Sequence, residues 1–225
     1  MGAWTWQFVV QRLRAAGRTA EAWALPGVGE RAGELSTAIG NEAMRDDVVD
    51  RLEREDLREV ILVGHSFGSL ITQLVADRVA ERLAHLVILD GGFARDGQSI
   101  FGRIPEHIVA KRRKLVTHVG DVPVLPFAPP GSLIIDDPDL AIWTHRQLTP
   151  HPLRCYTDPI ALAHPPGNGL PMTYVACTSP RYPVSAGNHE RAASMPGVRF
   201  RPIAAGHNCI LSAPDLVARE LLEIP

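Results

Sequence analysis

Several things are scarce in this chain, and each scarcity removes a class of protein. Cysteine occurs three times in 225 residues, at Cys155, Cys177 and Cys209, an odd number without metal-ligand spacing. That pattern excludes a disulfide framework and fits a reducing compartment. Lysine is confined to Lys111 and Lys114. Charges of both signs are mixed along the chain, 23 basic and 25 acidic residues leaving a formal net charge of −2. No basic stripe invites nucleic acid, and no charge block marks a disordered tail. The longest apolar runs, such as Val60–Val63 and Leu86–Leu89, fall far short of the roughly 20 residues that cross a bilayer. The first residues lack the charged-then-apolar layout of a secretory leader. These absences lead to the expectation of a cytoplasmic protein that meets a small molecule, with neither nucleic acid nor membrane as partner. They leave its oligomeric state open.

What is present is a periodic alternation. Apolar residues make up 45% of the chain, enough for one domain with a sizeable core. Short apolar or β-branched runs at Thr19–Ala24, Glu59–Val63, Ala84–Leu89, Met172–Cys177 and Val198–Ile203 read as strands. Helical spacing fills the intervals: Trp6, Val9, Val10 and Leu13, stopped by Gly17; then Met44, Val48, Leu52 and Leu57; then Leu70, Leu74, Val75, Val79 and Leu83. Ala213–Ile224 reads as a closing helix with Pro214 in its first turn. Parallel strands need crossovers, so the pattern predicts an α/β fold, a mostly parallel sheet with helices on both faces. Residues 91–171 break the rhythm with most of the prolines, among them Pro126, Pro129, Pro130, Pro150, Pro152, Pro165 and Pro166. They hold only short helical pieces such as Glu106–Val116 and are expected to form a lid inserted in a single domain, 1–225.

The chemistry concentrates where a buried strand runs through Gly64-His65-Ser66-Phe67-Gly68 into a helix. This is G-x-S-x-G in the strand–turn–helix context of a nucleophile elbow. On such a bend Ser66 rises above the sheet edge, and residues two before and two after it are expected to be too crowded for side chains. The start of the following helix favours a developing oxyanion, and the Phe67 N–H is the expected donor.

A serine hydroxyl needs a base. Of the nine histidines, His207 alone lies between a late strand and the last helix. It is the expected base in the chain order serine, acid, histidine. His65 lies in the elbow but its side chain points away from the hydroxyl. His145 and His151 fall in the lid, where contact with substrate and plain solvation are equally open. The acid would usually follow the strand before the histidine strand, yet Thr178–Ser185 contains no carboxylate. Asp90, at the end of Leu86-Val-Ile-Leu-Asp, is the candidate instead, because a carboxylate at the end of a buried strand is costly unless paired. Asp96 and Glu190 stand behind it.

These residues resemble the α/β-hydrolase superfamily, and within it the small esterases that include plant methylesterases and hydroxynitrile lyases. The elbow and Gly206-His207 carry the resemblance, which extends over nearly the whole chain. Softer support comes from Gly2-Ala-Trp-Thr-Trp, Leu25–Arg31, Leu148-Thr-Pro-His-Pro152 and Tyr174–Thr178. The resemblance also implies two or three strands and a His-Gly oxyanion loop ahead of the helix near Trp4. Met1 falls within the end of that loop, and the expectation is a start assigned too far downstream. A missing oxyanion donor would cost ~10²–10³ in rate.

The reading that follows is hydrolysis of a small, apolar carboxylic ester through an acyl-enzyme. Ser66 is the nucleophile, His207 the base, Asp90 the orienting acid and the Phe67 N–H the oxyanion donor, while His65, Phe93 and Phe127 meet the substrate. Phe101, Ile104, Leu125, Leu133 and Ile134 would add apolar surface to the lid. No His, Asp or Glu cluster has ligand spacing, so no metal or cofactor is expected. Two other readings stand beside it. One is lyase, thioesterase or cyclase chemistry on the same fold, with cyanide release disfavoured because both lysines lie on the lid helix. The other is a non-catalytic binding protein of this fold.

Overall fold

The apolar runs read as strands are strands wherever they find a partner. The structure, a computed structural model, describes residues 1–127, 133, 135–182 and 185–225. Pro129, Pro130 and Ile134 of the expected lid, and Pro183 and Val184 of the loop after Cys177, lie outside the described residues. In chain order the elements are α1 (Gln7–Ala15), α2 (Asn41–Arg54), β1 (Val60–His65), α3 (Gly68–Val79) and β2 (Leu83–Leu89). The intervening segment holds α4 (Glu106–Arg113), β3 (Thr117–Val119), β4 (Val122–Leu125), α5 (Pro138–Arg146), β5 (His151–Pro152) and α6 (Arg154–Thr157). The main layer resumes with β6 (Met172–Cys177), α7 (Ala186–Ser194), β7 (Val198–Ile203), α8 (Cys209–Ser212) and α9 (Pro214–Leu222).

The main sheet runs β1-β2-β6-β7 with every pair parallel. Side chains on β2 alternate between the faces, as the two-residue period of a strand requires. Leu86 enters the cluster of Met44, Val48 and Leu52 from α2 with Leu70, Ile71, Leu74 and Val75 from α3. Val87 and Leu89 enter the opposite cluster, with Val9 of α1, Ile210 of α8 and Val217 and Leu221 of α9. Each such fully buried aliphatic side chain contributes roughly 1.5–3 kcal/mol, which is why helices cover both faces. Leu57 and Leu83, assigned from spacing to the second and third helices, fall just beyond them, Leu57 after α2 and Leu83 opening β2. Both still pack in the first cluster.

One expected strand does not form. Thr19–Ala24 carries no ladder and is irregular. A strand is held by a neighbour about 4.8 Å away. Thr19 to Trp23 and Val60–Val63 border one cavity, and no ladder crosses the gap. Among the described residues β1 is paired on one side only, with β2. Its burial is accordingly partial where β2 and β6 are buried almost throughout.

Residues 91–171 fold as the prolines dictate, in short pieces. β3, β4 and β5 form a separate antiparallel sheet. Pro138 sits in the first turn of α5, which Asp137 caps by accepting hydrogen bonds from the N–H groups of Asp139 and Leu140. The segment is nonetheless anchored in the main core, because Cys155 and Ile160 are buried in the cluster of α2 and α3.

Candidate active site

The end of β1 is built around a close contact with α3. A Cβ on Gly64 would lie 2.6 Å from the Gly68 carbonyl oxygen and the Ser69 Cα. Ser69 fixes the same contact by donating its hydroxyl to the Gly64 carbonyl at 2.6 Å. The expected crowding is one-sided, however: a Cβ on Gly68 would meet nothing within 4 Å outside its own helix. The second crowded glycine is Gly91, where a Cβ would strike Ser69 and come within 2.8 Å of the Ser66 carbonyl. Ser66 itself has φ 53°, left-handed backbone that a non-glycine residue adopts at a cost of about 1–3 kcal/mol. The bend is held by the Ser66 N–H donating to the Leu89 carbonyl at 3.0 Å. The Phe67 N–H donates to nothing among the described residues and is free for a ligand.

Asp90 ends β2 on a similar left-handed bend, φ 46°, with its N–H bonded to the Val175 carbonyl at 2.8 Å. The bend turns its carboxylate toward the loop after β7. His207 Nδ1–H donates to Asp90 Oδ2 at 2.6 Å, and that commits the imidazole to one tautomer. His207 Nε2 is left as an acceptor, and Ser66 Oγ stands 2.9 Å from it.

The carboxylate of Asp90, 2% exposed, is surrounded by donors. Besides His207 they are His189 Nε2–H at 2.5 Å, the Ser185 hydroxyl at 3.2 Å and the Cys177 N–H at 3.2 Å. Burial pushes its pKa up, but the hydrogen bonds from His207 and His189 outweigh burial and hold it below the ordinary carboxylate value. His189, on α7, was not anticipated from sequence, because nothing in its spacing marks it. The loop after β6, which holds no carboxylate of its own, instead leads into donors that reach back to Asp90. Asp96 and Glu190 are elsewhere: Asp96 accepts from the Leu162 N–H, and Glu190 lies on the surface 3.8 Å from Arg181.

His65 is taken up by the protein. Its Nε2–H donates to the His207 carbonyl at 2.7 Å, and the two rings are 4.9 Å apart. Burial and then the proximity of His207 hold its pKa down at about 3, so it acts as a neutral donor that fixes the histidine loop. Tyr182 stacks on the other side of His207 at 4.5 Å.

Ser66, Phe67 and His207 open on a cavity of about 1390 Å³ that continues along the free edge of β1. Ile104, Leu125, Phe127 and Leu133 border it from the intervening segment. Phe93 reaches it only marginally, since the ring is 2% exposed and stacked on Tyr174 at 5.6 Å. Of the two histidines left open, His151 borders the cavity and His145 does not. The His151 ring packs edge-on to Phe67 at 4.4 Å, and its Nδ1 is buried without a partner. Burial keeps it neutral, with a pKa of about 3. Neither lysine borders the cavity. Among the described residues, no group of His, Cys, Asp and Glu could hold a metal ion, and no helix is long and apolar enough to cross a membrane.

A family model described as "Alpha/beta hydrolase family" matches residues 1–220. The chain belongs to the α/β-hydrolase family. A curated relative in it is the carbendazim hydrolyzing esterase of Nocardioides sp. (strain SG-4G), 30% identical over 172 residues, which are 72% of this chain and 69% of that protein. A second is the putative methylesterase 14, chloroplastic, of Arabidopsis thaliana, 27% identical over 113 residues, 50% of this chain and 32% of that protein. Among solved structures, an extracellular alpha/beta-hydrolase from a Paenibacillus species superposes with a TM-score of 0.85 over 99% of this chain and 93% of that one, at 21% identity. That likeness speaks for the fold. The family is the one that the elbow and Gly206-His207 resemble.

Proposed function

We propose that this α/β-hydrolase cleaves the carboxylic ester of a small molecule through an acyl-enzyme formed on Ser66. Serine-esterase activity is the family-level activity of the relatives with which it groups. The observation that carries the reading for this chain is the unbroken line from Ser66 Oγ through 2.9 Å to His207 Nε2, and from His207 Nδ1 through 2.6 Å to Asp90. In that tautomer Nε2 accepts the hydroxyl proton as Oγ attacks the ester carbonyl. Asp90 stabilises the imidazolium that results. Charge gathering on the carbonyl oxygen meets the free N–H of Phe67, at the start of α3. His207 returns the proton to the departing alcohol, and a water activated by the same imidazole then releases the acid.

Residues 91–171 serve as the lid of this site, with Phe127 and Leu133 toward the substrate and His151 offering a neutral polar contact. Cyanide release on the same fold is disfavoured by the position of Lys111 and Lys114, exposed and away from the cavity. Three free buried thiols support a cytoplasmic setting. The test is covalent: a fluorophosphonate should label the folded protein on Ser66, and p-nitrophenyl esters should turn over. Ser66→Ala should abolish the label and lower kcat by on the order of 10⁴–10⁶. Unlabelled, folded wild-type protein would end the reading.

A further inference from the structure

The cavity on which Ser66 opens also carries arginines that have no carboxylate partner among the described residues. Arg95, Arg103 and Arg191 all border it, from the turn after β2, from the short helical turn Phe101–Arg103 and from α7. Many arginines elsewhere on the surface pair with carboxylates; Arg31, for example, pairs with both Glu34 and Asp47. None of these three is within ion-pair reach of a carboxylate among the described residues, and no residue outside them is acidic. Arg103 is half-buried; its Nη1 donates to the Phe93 carbonyl, and its Nε is buried without any partner. The Arg191 guanidinium lies 5.4 Å from the Phe93 ring centre, a stacking that desolvates one of its faces and leaves its N–H rim free. Arg103 and Arg191 thus meet at Phe93, which Arg95 follows by two residues, and burial, then the charges of Arg95 and Arg191, hold the pKa of Arg103 below its ordinary value.

Gathering like charges around a desolvated N–H is unfavourable unless a counter-charge arrives. A guanidinium presents a planar fork that matches a carboxylate. We propose that Arg103, Arg95 and Arg191 form an anion subsite and that the substrate is an ester carrying a free carboxylate, such as the half-ester of a dicarboxylic acid. This rests on the esterase reading and narrows it. The ester end lies at Ser66, the carboxylate end at the arginines, and the apolar wall of Leu125 and Phe127 lies along the chain between them.

The test compares monomethyl succinate, adipate and suberate with the methyl esters of the equally long monocarboxylic acids. At low salt the best half-ester should exceed its neutral counterpart by about tenfold or more in kcat/KM, mainly through KM, because charge-assisted hydrogen bonds form in the ground state as well. The advantage should shrink as salt screens it. Arg103→Gln, and separately Arg191→Gln in case loss of the Phe93 contact unfolds the first, should bring the ratio toward one. Calorimetric binding of adipate to wild type, weakened in either variant, reads the subsite without turnover. If adipate binds but no ester is cleaved, the esterase reading fails and the subsite stands. If neutral esters are cleaved as well as every half-ester and adipate does not bind, the subsite is overturned.

Discussion

The two sides of Ser66 differ in how their polar atoms are satisfied. Behind it, toward the sheet, the polar side chains are engaged: Asp90 accepts four hydrogen bonds, and His65 is committed to the His207 carbonyl. In front of it, facing the cavity, the Phe67 N–H, His151 Nδ1 and Arg103 Nε have no partner. Buried polar groups in a folded protein are normally satisfied, so those that border the cavity, His151 Nδ1 and Arg103 Nε, are places a ligand could complete. The engaged side is the one we propose sets the proton path. The vacant side is where a substrate would be read.

The sharpest way to break the engaged side is to remove its charge. Asp90→Asn would keep the shape but replace the acceptor facing His207 Nδ1 with an amide whose NH₂ favours the opposite imidazole tautomer. A fall in kcat of about 10⁴ is expected, measured on any ester that wild type cleaves. Retention of activity within tenfold would remove Asp90 from the mechanism.

His189 provides the next test. His189→Leu takes away the 2.5 Å donor on Asp90 Oδ1, a hydrogen bond to a charged group worth about 1.5–3 kcal/mol. With less of its charge neutralised by His189, Asp90 would stabilise the His207 imidazolium more, and the acid limb of kcat/KM should move to higher pH. kcat should nonetheless fall, by up to about 100-fold, because the carboxylate loses a bond that fixes its orientation toward His207, and His189→Gln, which keeps an N–H in place, should restore much of it. An unmoved acid limb would reduce His189 to packing.

How much of this was legible follows from locality. The elbow is readable because strand, bend and helix are contiguous, and Gly206-His207 because a late loop between a strand and the last helix has one place to go. Asp90 was readable from the energetic oddity of a carboxylate ending Leu86-Val-Ile-Leu. His189 was not, because its meeting with Asp90 joins residues 99 positions apart through the packing of α7, which no spacing encodes. Thr19–Ala24 failed as a strand for a related reason: composition supplies strand propensity but not a neighbour to pair with. Phe93, expected to meet the substrate, borders the cavity with a ring that is mostly packed on Tyr174, a contact its position in the chain does not announce.

His65 tests the engaged side by pH. Its folded pKa of about 3 lies below the unfolded value of about 6.5, so between these the unfolded chain binds the extra proton. Stability therefore rises with pH across that window and is lost as pH falls from 6.5 toward 3. His151, with the same folded value, adds to the slope. Thermal melts over pH 4–7 should steepen accordingly, and His65→Gln, which keeps a donor for the His207 carbonyl without titrating, should flatten the curve. A curve unchanged by that substitution would show that the neutral donor is not what the fold requires.

The smallest effect separates two glycines that the motif treats alike. Gly64→Ala would drive a methyl group into the Gly68 carbonyl and the Ser69 Cα at 2.6 Å, backbone that cannot retreat without moving α3. Gly68→Ala meets nothing within 4 Å outside its own helix and stands at the helix start with no left-handed φ to forbid a side chain. Alanine there should be neutral or should stabilise by up to about 1 kcal/mol, because glycine's extra freedom in the unfolded chain is removed. Chemical denaturation of Gly68→Ala, with fluorophosphonate labelling of Ser66 as the check on the bend, measures this directly. If alanine destabilises by more than about 1 kcal/mol, the second glycine is required for a reason other than room at its Cβ. If it is tolerated and labelling persists, the elbow depends on room at Gly64 and Gly91, and Gly68 stays small for the space it leaves beside the ester.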